Sequence, residues 1–180
     1  MFSKSSYKNR GFTIVELLIV IVVIAILAAI TIVAYNGIQQ RAHTTSQKTT
    51  AENLAKKIEG FNAINNAYPT LPGTTTVTNQ LAADASTSLS GAGITINTAA
   101  QASGVSDNTV ELDLCSNSAT VLAANAAASG YIIYIYDQTK GMRDAVQAGG
   151  NVTLTVNNSG ANTVNYTSPV VAGSCTRANG

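Results

Sequence analysis

"RGFTIVELLIVIVVIAILAAITIVAYNG", Arg10–Gly37, carries one acid, Glu16, just inside a run of side chains that otherwise belongs in hydrocarbon. From Leu17 to Ile30 every residue is apolar, and with Glu16 and Thr31 admitted the span runs from Phe12 to Tyr35. As a helix this span measures about 36 Å at ~1.5 Å per residue, enough to cross a hydrocarbon core of about 30 Å. Upstream, Lys4, Lys8 and Arg10 are the only charges, so residues 1–11 read as a short leader that stays cytoplasmic by the positive-inside rule. The apolar run continues past the length of an ordinary secretory signal, which favours an anchor over a removed signal peptide.

A lone carboxylate in a spanning helix costs about 2.5–3.5 kcal/mol at the centre and less near the end, so Glu16 asks for a partner. No Lys, Arg or His lies between Phe12 and Gln40 to supply one. A cut immediately before Phe12 would create an α-amino group at the same depth, one turn from Glu16 or on a neighbouring copy. Gly11 suits such a cut, because without a Cβ it lets a protease approach the backbone closely.

Arg10-Gly11-Phe12-Thr13-Ile14-Val15-Glu16, followed by Leu17-Leu18 and the long apolar run, resembles the prepilin cleavage and methylation signature of type IV pilins and type II secretion pseudopilins. The resemblance implies that a prepilin peptidase cuts between Gly11 and Phe12 and methylates the Phe12 amine. It also implies that Thr13 and Glu16 serve assembly, with Glu16 meeting the Phe12 amine of an adjacent subunit. A carboxylate and an ammonium that meet in an apolar bundle relieve each other's desolvation, whereas a wrongly registered neighbour leaves both in lipid. Such a pair specifies stagger more than strength. The chain departs from many pilins in having no proline within "AAITIVAYNG"; Gly37 is the local helix breaker, and the β-branched Ile30–Val33 are mildly poor helix formers.

Beyond Gly37 the pattern stays helical, with Ala51, Leu54, Ala55, Ile58, Phe61 and Ile64 on one face and Glu52 four residues ahead of Lys56 on the wet side. The helix is expected to end near Asn65-Asn66, since Tyr68 precedes Pro69. The organisation expected is therefore a leader at 1–11, a long helix at 12–65 whose part 12–35 is transmembrane, and a head at 66–180. Residues 67–108 read as a long connection with one short strand at Ile94–Asn97. Thr109–Leu114 alternates, with Val110, Leu112 and Leu114 inward and Glu111 and Asp113 outward. Tyr131–Tyr136 reads as a central strand, and Val152–Val156 with Thr163–Thr167 as a hairpin. Ala119–Ser129 is expected to hold a short helix, and Gly141–Gly150 a loop with a turn of helix. The fold class is α+β, a long helix against an antiparallel sheet.

The formal charge is +1, but residues 1–65 hold seven Lys/Arg and three acids while 66–180 hold three and six. A weakly acidic head is a poor general binder of phosphate backbones, so a nucleic-acid partner has no support beyond Lys48, Lys56 and Lys57, which read as a solvated helix face. Cys115 and Cys175 lack metal-ligand spacing and are expected to form a disulfide, which restricts the unfolded chain by about 4 kcal/mol and requires an oxidising compartment. The resemblance implies such a clamp as well, because pilins commonly bound a C-terminal loop with one.

No residue set for catalysis stands out, and no cofactor, metal or small-molecule substrate is expected. His43 is the lone histidine, with no acid or nucleophile near it in sequence, and reads as a surface or subunit-interface residue. Asp107, Glu111, Asp113 and Asp137 lack the spacing of a calcium loop. The chain is expected to be no enzyme. It is expected to be a filament subunit that polymerises with its own copies after insertion in the cytoplasmic membrane, served by prepilin peptidase and a pilus assembly machinery, for adhesion, surface motility or DNA uptake. Two alternatives stay open: a pseudopilin of a type II secretion system, and a signal-anchored surface domain that never polymerises.

Overall fold

The structure is a computed structural model that describes residues 11–70, 77–82, 86–88, 92–97, 99–116, 126–156, 162–166 and 175–178. Residues 1–10 of the expected leader, the expected Asn158–Gly160 turn and most of the expected Ala119–Ser129 helix lie outside the described residues. Within that last stretch, Ala126–Ser129 is not helical, and Ala127 forms an isolated bridge with Thr70.

Helix α1 runs unbroken from Ile14 to Asn65. It passes through Gly37 and the β-branched segment, where the Thr31 hydroxyl donates to the Leu27 carbonyl at 2.7 Å and so uses an acceptor already inside the helix. The chain divides into two compact units, Met1–Gln39 and Gln40–Gly180. In the first, the apolar residues from Phe12 to Ile38 are exposed throughout. Among the described residues α1 is the one helix long and apolar enough to cross a membrane.

In the second unit Ala51, Leu54, Ala55 and Ile58 are buried as the periodicity predicts, and Phe61 is half-buried. Ile64 differs: it is 55% exposed, one residue before the helix ends at Asn65. The buried stripe instead extends towards the N-terminus through two polar residues, Thr44 and Gln47. Each meets the end of a strand. Gln47 Oε1 accepts from the Tyr136 N–H at 3.2 Å, and the Thr44 hydroxyl accepts from the Gln138 N–H at 3.0 Å. Hydropathy alone assigns both to water.

After the short helix α2 (Val77–Leu81), strands β1 (Thr95–Ile96), β2 (Thr109–Cys115), β3 (Gly130–Asp137) and β4 (Met142–Gly150) form a sheet in that order, with β7 (Cys175–Arg177) also pairing with β2. β5 (Val152–Val156) and β6 (Asn162–Tyr166) make a separate antiparallel hairpin, with Val152 opposite Tyr166. β3 is central, between β2 and β4. The α+β class holds, but the sheet is mixed, because β1 pairs with β2 in parallel.

The segment read as a loop at Gly141–Gly150 is β4, paired along its whole length with β3. Its alternation is hidden by a bulge: Ile133 faces Gln147 and Tyr134 faces Ala145, leaving Val146 as the extra residue. Its two terminal glycines are required by packing. A Cβ on Gly149 would stand 2.5 Å from Glu59 Oε1 and from Tyr131 Cε1, and Gly150 has φ +68° with a Cβ position 2.4 Å from the Ser129 carbonyl oxygen.

One face of the sheet, with Val110, Leu112, Leu114, Tyr131, Ile133 and Ile135, packs on Ala51, Leu54, Ala55 and Ile58 of α1. The other carries Cys115, Ile132 and Ala145, packed with Val152 of the hairpin. At ~25 cal/mol per Å² of apolar surface, each fully buried Leu or Ile here contributes about 1.5–3 kcal/mol.

Candidate functional site

The first turn of α1 gathers Gly11, Phe12, Thr13 and Glu16 around one shallow hollow. Thr13 is the residue before the helix and Glu16 the third within it, and their bonds are reciprocal. The Glu16 N–H donates to Thr13 Oγ1 at 3.2 Å, while Glu16 Oε2 accepts from the Thr13 N–H at 2.9 Å and from the Thr13 hydroxyl at 2.7 Å. This is a capping box, which satisfies helix-start donors that the backbone ladder leaves open. The Thr-x-x-Glu spacing at 13–16 carries that signal in sequence.

Glu16 thus finds neutral donors within its own chain. No cation approaches it among the described residues, so its charge is held by local hydrogen bonds and by the positive end of the helix dipole. Phe12 is 83% exposed and, with Gly11, precedes the helix; the peptide bond joining them is accessible and outside the helical ladder. A Cβ on Gly11 would meet nothing within 4 Å, so no local packing requires a glycine there.

Cys115 and Cys175 form the disulfide. They stand directly opposite each other on antiparallel β2 and β7, which is why residues sixty apart in sequence meet. A cross-strand bond at this point ties the last described strand to the sheet.

Glu111 corrects the outward assignment. Its side chain is fully buried, and its carboxylate accepts from Arg143 Nε and Nη2, both at 2.7 Å, from Arg177 Nε at 2.7 Å and from the Gln101 N–H at 3.0 Å. Arg143 also stacks on the Tyr134 ring, 3.4 Å from its centroid. Burial pushes the Glu111 carboxyl up, but the bonds from Arg143, Gln101 and Arg177 outweigh it and hold it below the usual range. Asp113 moves the other way: burial and the neighbouring Glu111 charge raise it.

His43 also has an acid that the sequence does not place nearby. Asp107 lies 2.8 Å from its Nδ1, and the Thr50 hydroxyl donates to the Asp107 carbonyl at 3.0 Å, so the pair fastens the loop before β2 to α1. Both side chains are solvent-accessible. Asp137 is engaged in the β3–β4 turn, accepting from the Thr139 hydroxyl and from the N–H groups of Thr139 and Lys140. Among the described residues no three His, Cys, Asp or Glu side chains stand close enough to hold one metal ion.

Comparison with known proteins points to the same turn. Residues 6–32 match the model of the prokaryotic N-terminal methylation motif. A stretch of 68 residues, 38% of this chain, is 28% identical to the type II secretion system core protein G of Pectobacterium carotovorum subsp. carotovorum. The chain spans under half of that protein, 44% of its length. No solved structure matches the chain. The motif and the apolar helix fit a membrane-anchored precursor.

Proposed function

We propose that the chain is a subunit of a type IV pilus-like filament. It is made as a membrane-inserted precursor, cut by a prepilin peptidase between Gly11 and Phe12 and methylated on the new Phe12 amine. It then polymerises through the apolar part of its helix. The observation that carries this reading is the methylation motif at residues 6–32 laid over an accessible Gly11–Phe12 bond and an apolar helix with no cover inside its own unit.

In this reading Glu16 exchanges partners. Before assembly its carboxylate rests on the Thr13 donors. On assembly it meets the methylated amine of a neighbouring copy, trading neutral donors for an ionic one in a dry environment, where a charge-assisted bond is stronger. The capping bonds make an unassembled Glu16 tolerable in lipid, and the ionic partner makes the registered neighbour preferable to a slipped one.

The leader faces the cytoplasm and the head faces outward, which places the Cys115–Cys175 bond in an oxidising compartment. The partners are other copies of this chain, the peptidase and an assembly machinery in the membrane. The finished filament lies on the cell surface and serves adhesion, motility or DNA uptake.

A pseudopilin of a type II secretion system is the second reading, favoured by the match to core protein G. Sequencing the N-terminus of the mature protein tests the processing step: N-methylated phenylalanine at Phe12 is expected, and a mature chain beginning at Met1 or beyond Tyr35 sinks it. Chain recovered in filaments sheared from the cell surface separates the two readings, since its absence there favours the secretion machine.

A further inference from the structure

Between Asn36 and Ala51, the part of α1 that follows Tyr35, stand three basic side chains, Arg41, His43 and Lys48, and no acid. Two of them have an acid of their own chain at hand. His43 Nδ1 lies 2.8 Å from Asp107, and Lys48 has Glu52 four residues on, a neighbour on the helix surface. Arg41 has neither. Its helix neighbours at three and four residues are Gly37, Ile38, Thr44 and Thr45, and among the described residues it forms no ion pair. It is exposed. On the outward side of the span a cation runs against the positive-inside rule, so orientation does not account for it.

Side chains on a helix lean back over the preceding turn. One turn behind Arg41 stands Gly37, where a Cβ would meet nothing within 4 Å. Packing therefore does not require glycine at this point of the helix, although glycine is a poor residue in a helix interior. Its effect is to leave the backward path of the Arg41 side chain open. Arg41 is six residues past Tyr35, about 9 Å along the axis, and leaning back one turn brings its guanidinium to about 4 Å past the apolar span. The headgroup layer occupies about 5–7 Å on each side of the hydrocarbon core. Lys48, thirteen residues past Tyr35, stands about 14 Å out on the same basis, beyond that layer and beyond the ~8 Å screening length of physiological salt.

We propose that Arg41 binds the phosphate of a phospholipid headgroup in the outward-facing leaflet and so fixes the depth of the unassembled subunit in the bilayer. The inference rests on the membrane-anchored reading, which puts Tyr35 at the edge of the hydrocarbon core and the head outside. A guanidinium suits this partner, because its planar fork of N–H donors matches phosphate oxygens two at a time. The contact also has work to do. The span from Phe12 to Tyr35 exceeds the hydrocarbon core by about 6 Å, so apolar burial alone lets the helix slide or tilt, and a charge held at the level of the phosphates removes that freedom. A cut before Phe12 takes Lys4, Lys8 and Arg10 away with the leader. The hold on headgroups then falls to Arg41, and entry into a filament has to release it.

The test uses the full chain with its leader, reconstituted in vesicles of phosphatidylglycerol and phosphatidylcholine, with the oxidised Cys115–Cys175 bond as the check that the head is folded. The guanidinium carbons of its four arginines carry a carbon-13 label, and solid-state NMR reads their dephasing by lipid phosphorus. Arg143 and Arg177 are engaged with Glu111 in the head, so the signal should come from Arg10 at the inner leaflet and Arg41 at the outer. Arg41→Gln should remove one of these two contributions. Arg41→Gln combined with Thr45→Arg, which keeps the charge but moves it one turn outward, should not restore it. Gly37→Leu should weaken the Arg41 contribution while circular dichroism shows the same helix content. Undiminished dephasing in Arg41→Gln, recovery in the shifted-charge chain, or equal dephasing by inorganic phosphate with the chain in a phosphate-free detergent overturns the headgroup contact. Cross-linking of Arg41→Cys chains to one another in dilute vesicles overturns it too, by making a second copy the partner. If Arg10 also fails to dephase, the membrane-anchored reading fails and this contact with it; if Arg10 dephases and Arg41 does not, only this contact fails.

Discussion

Arg177 Nη2 lies 2.6 Å from Glu111 Oε1, so the strand that Cys175 joins covalently to β2 is joined to it a second time, by charge, two residues further on. Arg143 approaches the same carboxylate from β4 on the far side of β3. One buried side chain therefore links three strands of the sheet. Its removal and the removal of the disulfide should have different signatures.

Replacing Glu111 by Ala removes the carboxylate that two guanidiniums share, leaving Arg143 its longer contact with Asp113 at 3.5 Å. Breaking a buried ion pair costs about 3–5 kcal/mol, and the lower end applies because Arg143 and Arg177 remain 34% and 36% exposed. Thermal unfolding of the detergent-solubilised chain should show a lowered midpoint with the disulfide still formed. A midpoint within one or two degrees of wild type would mean that the pair contributes little.

Replacing Cys115 and Cys175 together by Ser should lower stability by about 2–5 kcal/mol through the freed unfolded chain. The Glu111–Arg177 contact persists and keeps β7 docked. Proteolysis under native conditions should therefore clip the C-terminal segment only slowly in the serine variant, and quickly once Arg177→Ala is added. Equal cleavage rates in the two would refute the second tether.

Stability should fall on acidification. Glu111 and Asp137 both have carboxyls held below the usual range: burial raises each, and the hydrogen bonds from Arg143 and from Thr139, respectively, overcome it. A carboxyl depressed in the folded state contributes stability above its unfolded value, near 4, which disappears as pH drops through the folded value. Asp113, raised by burial and by Glu111, works in the opposite sense, losing stability as pH rises. Asp113→Asn should therefore steepen the acid loss between about pH 5 and 3, read from urea midpoints. A flatter profile in that variant would contradict the assignment.

Thr13→Ala removes the capping hydroxyl from the helix start, a change worth about 0.5–2 kcal/mol in a cap. It leaves the peptide N–H that also bonds Glu16. Glu16→Gln keeps the shape and loses the charge. If Glu16 changes partners on assembly, Thr13→Ala should leave filaments reduced but present and Glu16→Gln should abolish them, with both proteins inserted in the membrane. Equal defects would make Glu16 a cap and nothing more.

Gly149→Ala probes the close approach of β4 to α1. The added methyl meets Glu59 Oε1 and the Tyr131 ring, and overpacking of this kind costs about 1–3 kcal/mol. Circular-dichroism melting should report the loss; an unchanged midpoint would show that Glu59 moves aside freely.

What the sequence determined by itself was local or periodic. The apolar run, the Arg10–Glu16 signature, the stripe Ala51–Ile58 and the alternation at Thr109–Leu114 are each readable because one element repeats its own spacing against hydrocarbon or core. What the tertiary structure decided was everything that depends on a second element. β4 was unreadable because its bulge and terminal glycines break the alternation and its strand character comes from pairing with β3. β7 is three residues long and exists through Cys175 and Arg177. Glu111 alternates outward from the helix-facing side of β2, yet it is buried, because arginines from two other strands close over it. Thr44 and Gln47 enter the core by bonding strand ends. Buried polar groups follow their partners, and partners distant along the chain leave no mark on its local pattern.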